Sequence, residues 1–101
     1  DDDRGGRPGG GYNGGQMRPS SITLYDAPDF NGRAFGTSRE VSNLPRSDND
    51  KALSLKITGR GSWELCTDSD FGGRCQIFDR DVPDLRSFGL GYAVTSIRQV
   101  R

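Results

Sequence analysis

Two nine-residue stretches, "YDAPDFNGR" at 25–33 and "CTDSDFGGR" at 66–74, align without a gap. Asp29, Phe30, Gly32 and Arg33 recur as Asp70, Phe71, Gly73 and Arg74, each 41 residues further on. Downstream, "LPRSDNDKALSLKI" and "LRSFGLGYAVTSIRQ" correspond with one residue of slippage, so that Ser54-Leu55-Lys56 meets Ser96-Ile97-Arg98. The 101-residue chain is therefore two copies of one unit of about 40 residues, a size at which a repeat unit relies on its neighbour to cover its apolar face.

Each copy reads as a long hairpin, a polar connection and a final strand. Ile22-Thr23-Leu24-Tyr25 alternates, "DAPDFNGR" supplies turn chemistry, and Ala34-Phe35 resumes an apolar strand. No stretch sustains a 3.6-residue period. Two antiparallel units, each with one apolar face, cover each other most simply as a sandwich of two sheets. The expected fold is all-β, with core candidates Leu24, Phe30, Leu55, Ile57, Trp63, Leu65, Phe71, Ile77, Phe78, Leu85, Val94 and Ile97. Gly32 and Gly73 are structural: each closes a folded hairpin where a positive φ is cheap only without a Cβ.

Residues 1–20 contain "DDDRGGRPGGGYNGGQMRP" and have almost nothing apolar to bury. Such a segment cannot offset its ordering entropy, and a flexible tail is expected there. The folded domain is expected over 21–101, with one unit at about 21–60 and the other at about 61–101.

Composition narrows the function classes. Fourteen basic and fourteen acidic residues give a formal net charge of zero, which leaves no electrostatic footprint for nucleic acid or an anionic membrane. No apolar run approaches the roughly 18 to 20 residues of a spanning helix. There is no histidine, so Ser-His and Cys-His nucleophilic systems are excluded. The carboxylates at Asp68 and Asp70 and at Asp79, Asp81 and Asp84 read as solvated loops, and the glycines do not form a phosphate loop. The chain is not expected to be an enzyme. Cys66 and Cys75 are the two cysteines; an even count without His or a CxxC spacing favours one disulfide over zinc. A disulfide implies an extracytoplasmic compartment, secreted or periplasmic. The chain starts at Asp1 rather than Met, which fits a product after signal-peptide removal or an artificially chosen start.

An aromatic, four residues, Phe, one residue and Gly, followed about 20 residues later by a strand-opening Ser, resembles the Greek-key motif of the βγ-crystallin family. Tyr25, Phe30, Gly32 and Ser54 fit it in the first copy, and Phe71, Gly73 and Ser96 in the second. Trp63 stands where that family commonly has a tryptophan. Cys66 departs from the pattern by replacing the aromatic, and a Cys66–Cys75 disulfide would brace the hairpin that the ring would have packed. The resemblance covers residues 21–101 and implies two intertwined Greek-key motifs forming a two-sheet β-sandwich. In it each sheet takes three strands from one copy and one from the other, and Ser54 and Ser96 tie the final strand to the folded hairpin.

Many microbial, including bacterial, members bind calcium through a double clamp, [ND]-[ND]-x-x-[ST]-S in each copy. The polar pair of one copy meets the hydroxyl of the other. Here the first copy reads Asn49-Asp50-Lys51-Ala52-Leu53-Ser54 and the second Gly91-Tyr92-Ala93-Val94-Thr95-Ser96. Crossing them gives one site with its main ligand types: the Asp50 carboxylate, the Asn49 carbonyl, the Thr95 hydroxyl and a backbone carbonyl from Thr67. The reciprocal site, built from Asp26, Leu53, Gly91 and Tyr92, is degenerate. One carboxylate among neutral oxygens makes a weak Ca²⁺ site, at about 10⁻⁴ to 10⁻³ M or weaker.

The same "SDND" run also serves as plain turn chemistry, because Asp, Asn and Ser side chains bond to nearby backbone groups. Two other functions stand beside calcium binding by a monomeric module. One is a protein-binding role, most concretely proteinase inhibition through a stiff loop at Arg46–Asp50 or Arg86–Tyr92. The other is a structural or stress-stability module that has lost calcium binding.

Overall fold

The computed structural model describes residues 19–101, and the Gly-rich tail expected over 1–20 lies, up to residue 18, outside the described residues. Among the described residues six strands follow in order: β1 (Ser20–Ala27), β2 (Asn31–Thr37), β3 (Ser54–Gly59), β4 (Trp63–Cys66), β5 (Cys75–Phe78) and β6 (Ser96–Gln99). Short 3₁₀ turns lie at Ser69–Phe71 and Leu85–Phe88. The first three strands form an antiparallel sheet in the order β2-β1-β3, and the last three form another in the order β5-β4-β6. The fold is therefore all-β, one three-stranded sheet from each copy of the repeat.

The two sheets exchange edges. Leu55 and Val82 trade a pair of main-chain hydrogen bonds of 3.0 and 2.9 Å, and Val41 and Ile97 trade another of 2.8 and 3.0 Å. Each connecting segment thus leaves its own sheet and pairs with the final strand of the other copy, as an intertwined pair of Greek keys requires.

Period-2 alternation decides which side chains go inward. Ile22 and Leu24 of β1 and Trp63 and Leu65 of β4 share the buried face, with Leu55, Phe78 and Ile97 beside them. The crossing segments contribute Leu44, Ala52, Val82, Leu85, Leu90 and Val94. Among the expected core residues, Ile77 is a correction: it is 45% exposed. It pairs with Glu64 on the outward face, and its neighbour Phe78 takes the inward position; a strand cannot turn two consecutive residues to one face. Phe30 and Phe71 are only half-buried. They sit at the hairpin corners, where Lys56 lies 4.9 Å from one ring centroid and Arg98 4.5 Å from the other.

Those corners explain the repeated sequence. Asp29 and Phe30, and again Asp70 and Phe71, adopt left-handed backbone with φ between 55° and 63°, which costs about 1–2 kcal/mol per L-residue. Buried serines hold them there. Ser54 Oγ donates to Ala27 O at 2.6 Å and accepts from Phe30 N at 3.1 Å. Ser96 Oγ donates to Asp68 O at 2.6 Å and accepts from Phe71 N at 3.0 Å. Each corner is also tied to the opposite copy, by Asp29 N to Pro83 O at 2.9 Å and Asp70 N to Ser42 O at 2.7 Å. A Cβ on Gly32 would collide with the Asp26 carboxylate, and one on Gly73 with the Thr67 hydroxyl. Replacing either serine by alanine leaves a backbone N–H and a carbonyl without their partner. Ser54→Ala and Ser96→Ala should each lower stability by about 2 kcal/mol in urea denaturation; a loss below about 0.5 kcal/mol in both would contradict the assignment.

Candidate metal centre

The segment after Leu44 turns back on itself before β3. Asp48 N and Asn49 N both donate to Pro45 O at 2.8 Å, and Asp50, left-handed at φ 59°, donates its N–H to Val94 O at 3.1 Å. This last bond crosses to the second copy and brings the Asn49-Asp50 pair against Thr95. Thr95 Oγ1 donates to Asn49 Oδ1 at 2.8 Å and lies 3.3 Å from Asp50 Oδ1. The hydroxyl is largely buried, at 8% exposure for the residue, and it is oriented by Thr95 N donating to Cys66 O at 2.9 Å. An amide oxygen, a carboxylate oxygen and a hydroxyl oxygen therefore converge, from two copies of the repeat, at one point.

Thr67 stands at the mouth of the β4–β5 hairpin beside this group. Its N–H donates to Arg74 O at 3.0 Å. An undisturbed ladder would return the Arg74 N–H to the Thr67 carbonyl, but Arg74 N donates to Thr67 Oγ1 at 3.0 Å instead. The hydroxyl thus takes the donor and leaves the Thr67 carbonyl out of the ladder. Just before it, Cys66 and Cys75 are directly opposite one another, Cα atoms 4.1 Å apart, and joined by a disulfide.

The reciprocal position has the same backbone and different side chains. Tyr92 is left-handed at φ 59° and donates its N–H to Ala52 O at 3.1 Å, as Asp50 does to Val94. Leu53 donates its N–H to Tyr25 O at 2.7 Å, as Thr95 does to Cys66. Leu53 is buried and offers methyl groups where Thr95 offers a hydroxyl. Tyr92 is 57% exposed, and Asp26 Oδ1 accepts from Arg33 N at 2.7 Å. Gly91 lies under Arg86, whose Cγ a Cβ at 91 would strike.

Arg86 entered the sequence reading only as the first residue of a candidate loop, with no partner assigned. It forks onto Asp84 with Nε–Oδ1 and Nη2–Oδ2 distances of 2.9 Å, and Asp84 Oδ1 also caps the Leu85–Phe88 turn by accepting from Arg86 N at 3.0 Å. These bonds from Arg86 hold the Asp84 carboxyl below its ordinary range and, in return, raise the guanidinium. The Asp-x-Arg spacing was visible in the chain, but the glycine that lets the arginine lie across the loop could be paired with it only in three dimensions.

One further grouping of metal-type side chains occurs among the described residues: Glu64, Cys66 and Cys75, with ligand atoms within 4.8 Å of one another. The two sulfurs are bonded to each other, and the Glu64 carboxylate accepts from Arg98 Nε at 2.8 Å. The hard-oxygen group at Asn49, Asp50 and Thr95 is the better match to a calcium ion, which takes carboxylate, carbonyl and hydroxyl oxygens in adaptable geometry.

The Beta/Gamma crystallin family profile matches residues 21–100, and the chain belongs to that family. Among solved structures it is similar to a βγ-crystallin from an archaeon, at 23% identity and a TM-score of 0.74, covering 81% of this chain and 99% of that one. A βγ-crystallin domain from Flavobacterium johnsoniae is 29% identical, with a TM-score of 0.66 and coverage of 78% and 92%. The βγ-crystallin domain of the Abundant Perithecial Protein of Neurospora crassa, solved in its Ca²⁺-bound form, is 18% identical with a TM-score of 0.68, covering 86% of this chain and 94% of that one. No significant match is found among curated proteins.

The Asp84–Arg86 fork makes a pH prediction of definite sign. A carboxyl whose folded pKa is depressed contributes stability above its unfolded value, near 3.9, and loses it as pH falls through the folded value. Wild type should melt above Asp84→Asn at pH 7, and the difference should shrink as pH falls below the unfolded value. A gap that persists unchanged in acid would mean that capping geometry, not charge, holds this loop.

Proposed function

We propose that this protein is a non-enzymatic calcium-binding module, with one crossed site of modest affinity formed by the Asp50 carboxylate, the Asn49 side-chain carbonyl, the Thr95 hydroxyl and the Thr67 backbone carbonyl. The observation that carries the reading is the Thr95 hydroxyl, held between Asn49 and Asp50 by a bond network that joins the two copies. Bound calcium would supply positive charge and about two to four further coordination positions, filled by water, to oxygens that a single hydroxyl proton now serves. Asp50 contributes the one formal charge, Thr95 fixes the separation of the two loops, and Thr67 presents a carbonyl that the hairpin ladder leaves out. A ligand that binds only the folded arrangement stabilises it by mass action, about 2.7 kcal/mol at 100 times Kd.

Asp26, Leu53, Gly91 and Tyr92 make up a second position that we read as inactive toward calcium. The leucine side chain cannot ligate, and the aliphatic stem of Arg86 packs over Gly91 while its guanidinium is paired with Asp84. The disulfide favours an extracytoplasmic setting, secreted or periplasmic, and no helix among the described residues is long and apolar enough to cross a membrane. We expect a monomer with no nucleic-acid partner.

The structural-module reading has one specific observation in its favour: the Asp84–Arg86 fork stiffens the second loop without any metal. Proteinase inhibition has less support. An inhibitory loop presents an extended segment, whereas Arg46–Asp50 is turned back on the Pro45 carbonyl and Arg86–Tyr92 starts in a 3₁₀ turn, with Gly89 N donating to Arg86 O.

Calorimetric titration of the chelated, oxidised protein with Ca²⁺ tests the proposal. One site in the 10⁻⁴ to 10⁻³ M range is expected, absent in Asp50→Ala and retained in Leu53→Ser. No heat and no calcium-dependent shift in melting up to about 10 mM, beyond the range of extracellular modules, would overturn it.

A further inference from the structure

The disulfide is attached to the candidate site through a single residue. Cys66 O accepts from Thr95 N at 2.9 Å, and the Thr95 hydroxyl is the group bonded to Asn49 and near Asp50. Thr67, whose carbonyl is proposed as a ligand, follows Cys66 directly in the chain. The cross-link therefore fixes the backbone that orients one ligand and supplies another.

The internal repeat provides a comparison. In the first copy the corresponding cross-strand pair is Tyr25 and Ala34, with Tyr25 packed edge-on against Phe30 at 6.1 Å between centroids. That hairpin faces the position occupied by Leu53, Gly91 and Tyr92. The covalent brace thus occurs in the one hairpin that serves the oxygen-bearing site. The two cysteines differ in access: Cys66 is fully buried, whereas Cys75 is exposed.

We infer that the Cys66–Cys75 disulfide is a redox control on calcium affinity, so that reduction weakens the Asn49–Asp50–Thr95 site. The inference rests on the calcium reading proposed above. Reduction proceeds from the exposed side. A thiolate of a dithiol reductant attacks Cys75 Sγ, and Cys66 Sγ leaves with the bonding pair and takes up a proton. The reductant's second thiolate then attacks its own sulfur in the mixed disulfide, releasing Cys75 Sγ, which is also protonated. The reductant ends as a cyclic disulfide, and the protein has gained two electrons and two protons. The hairpin mouth is then held by the Thr67–Arg74 and Asp68–Gly72 bonds and by Ser96 Oγ, without the covalent link that fixes the Cys66 carbonyl against Thr95. Because binding couplings are reciprocal, calcium must make the disulfide harder to reduce by the same factor.

The test is Ca²⁺ titration by calorimetry of the oxidised protein, of the same protein held reduced by dithiothreitol, and of Cys66→Val/Cys75→Val, with Trp63 fluorescence reporting that each is folded. The reduced protein should bind at least about fivefold more weakly than the oxidised one, the lower end of ordinary coupling factors. The double variant should match the reduced protein and ignore dithiothreitol, so a reduced parent that unfolds does not remove the comparison. Equal affinities, within twofold, for the oxidised protein and the folded double variant would overturn the redox control and leave the calcium reading intact. No binding by the oxidised protein would overturn both.

Discussion

Everything in this molecule depends on two exchanged pairs of main-chain hydrogen bonds, Leu55 with Val82 and Val41 with Ile97. Each copy alone is a three-stranded sheet with one apolar face and a connecting segment that belongs to no sheet of its own. Pairing that segment with the other copy's last strand satisfies its backbone and closes the sandwich over a shared core. The same crossing sends Leu44, Leu85, Leu90 and Val94 inward. It also carries Asn49 and Asp50 to the edge of the opposite sheet, where Thr95 meets them.

The two halves keep this backbone while their side chains diverge. Asp50 and Tyr92 share a left-handed conformation and an equivalent cross-copy hydrogen bond; Thr95 and Leu53 share another. What differs is chemistry at the tip: polar oxygens on one side, a leucine and an arginine-covered glycine on the other. A fold held by main-chain bonds, buried serines and a common core tolerates that divergence, because neither loop is asked to define the sandwich. The asymmetry extends to the hairpins, one braced by a ring contact and the other by a disulfide.

Much of this was legible in the chain because the repeat is legible. The glycines and serines of the folded corners and the alternation of Ile22 and Leu24 and of Trp63 and Leu65 follow from aligning the two copies, and the crossed placement of Asn49 and Asp50 toward Thr95 was implied by the resemblance to the βγ-crystallin double clamp. Less legible were features without a local period. Leu44, Ala52, Val82 and Leu90 are buried from irregular segments, where neither a strand nor a helix pattern marks an inward face. Ile77 was misplaced because Ile77-Phe78 offers two apolar residues and only the register with Glu64 and Trp63 decides between them. The Arg86–Gly91 contact joins residues whose relation is one of shape, not spacing.

The claim on which the functional account turns is that one loop, and not its pseudo-symmetric partner, responds to calcium. Residue-resolved ¹H–¹⁵N NMR during a Ca²⁺ titration measures this directly. The account predicts saturable shifts centred on Asn49, Asp50, Thr67 and Thr95, with Asp26, Leu53, Gly91 and Tyr92 nearly unmoved. Equal shifts in both loops, or none in either up to about 10 mM, beyond the affinity range of extracellular calcium modules, would contradict it.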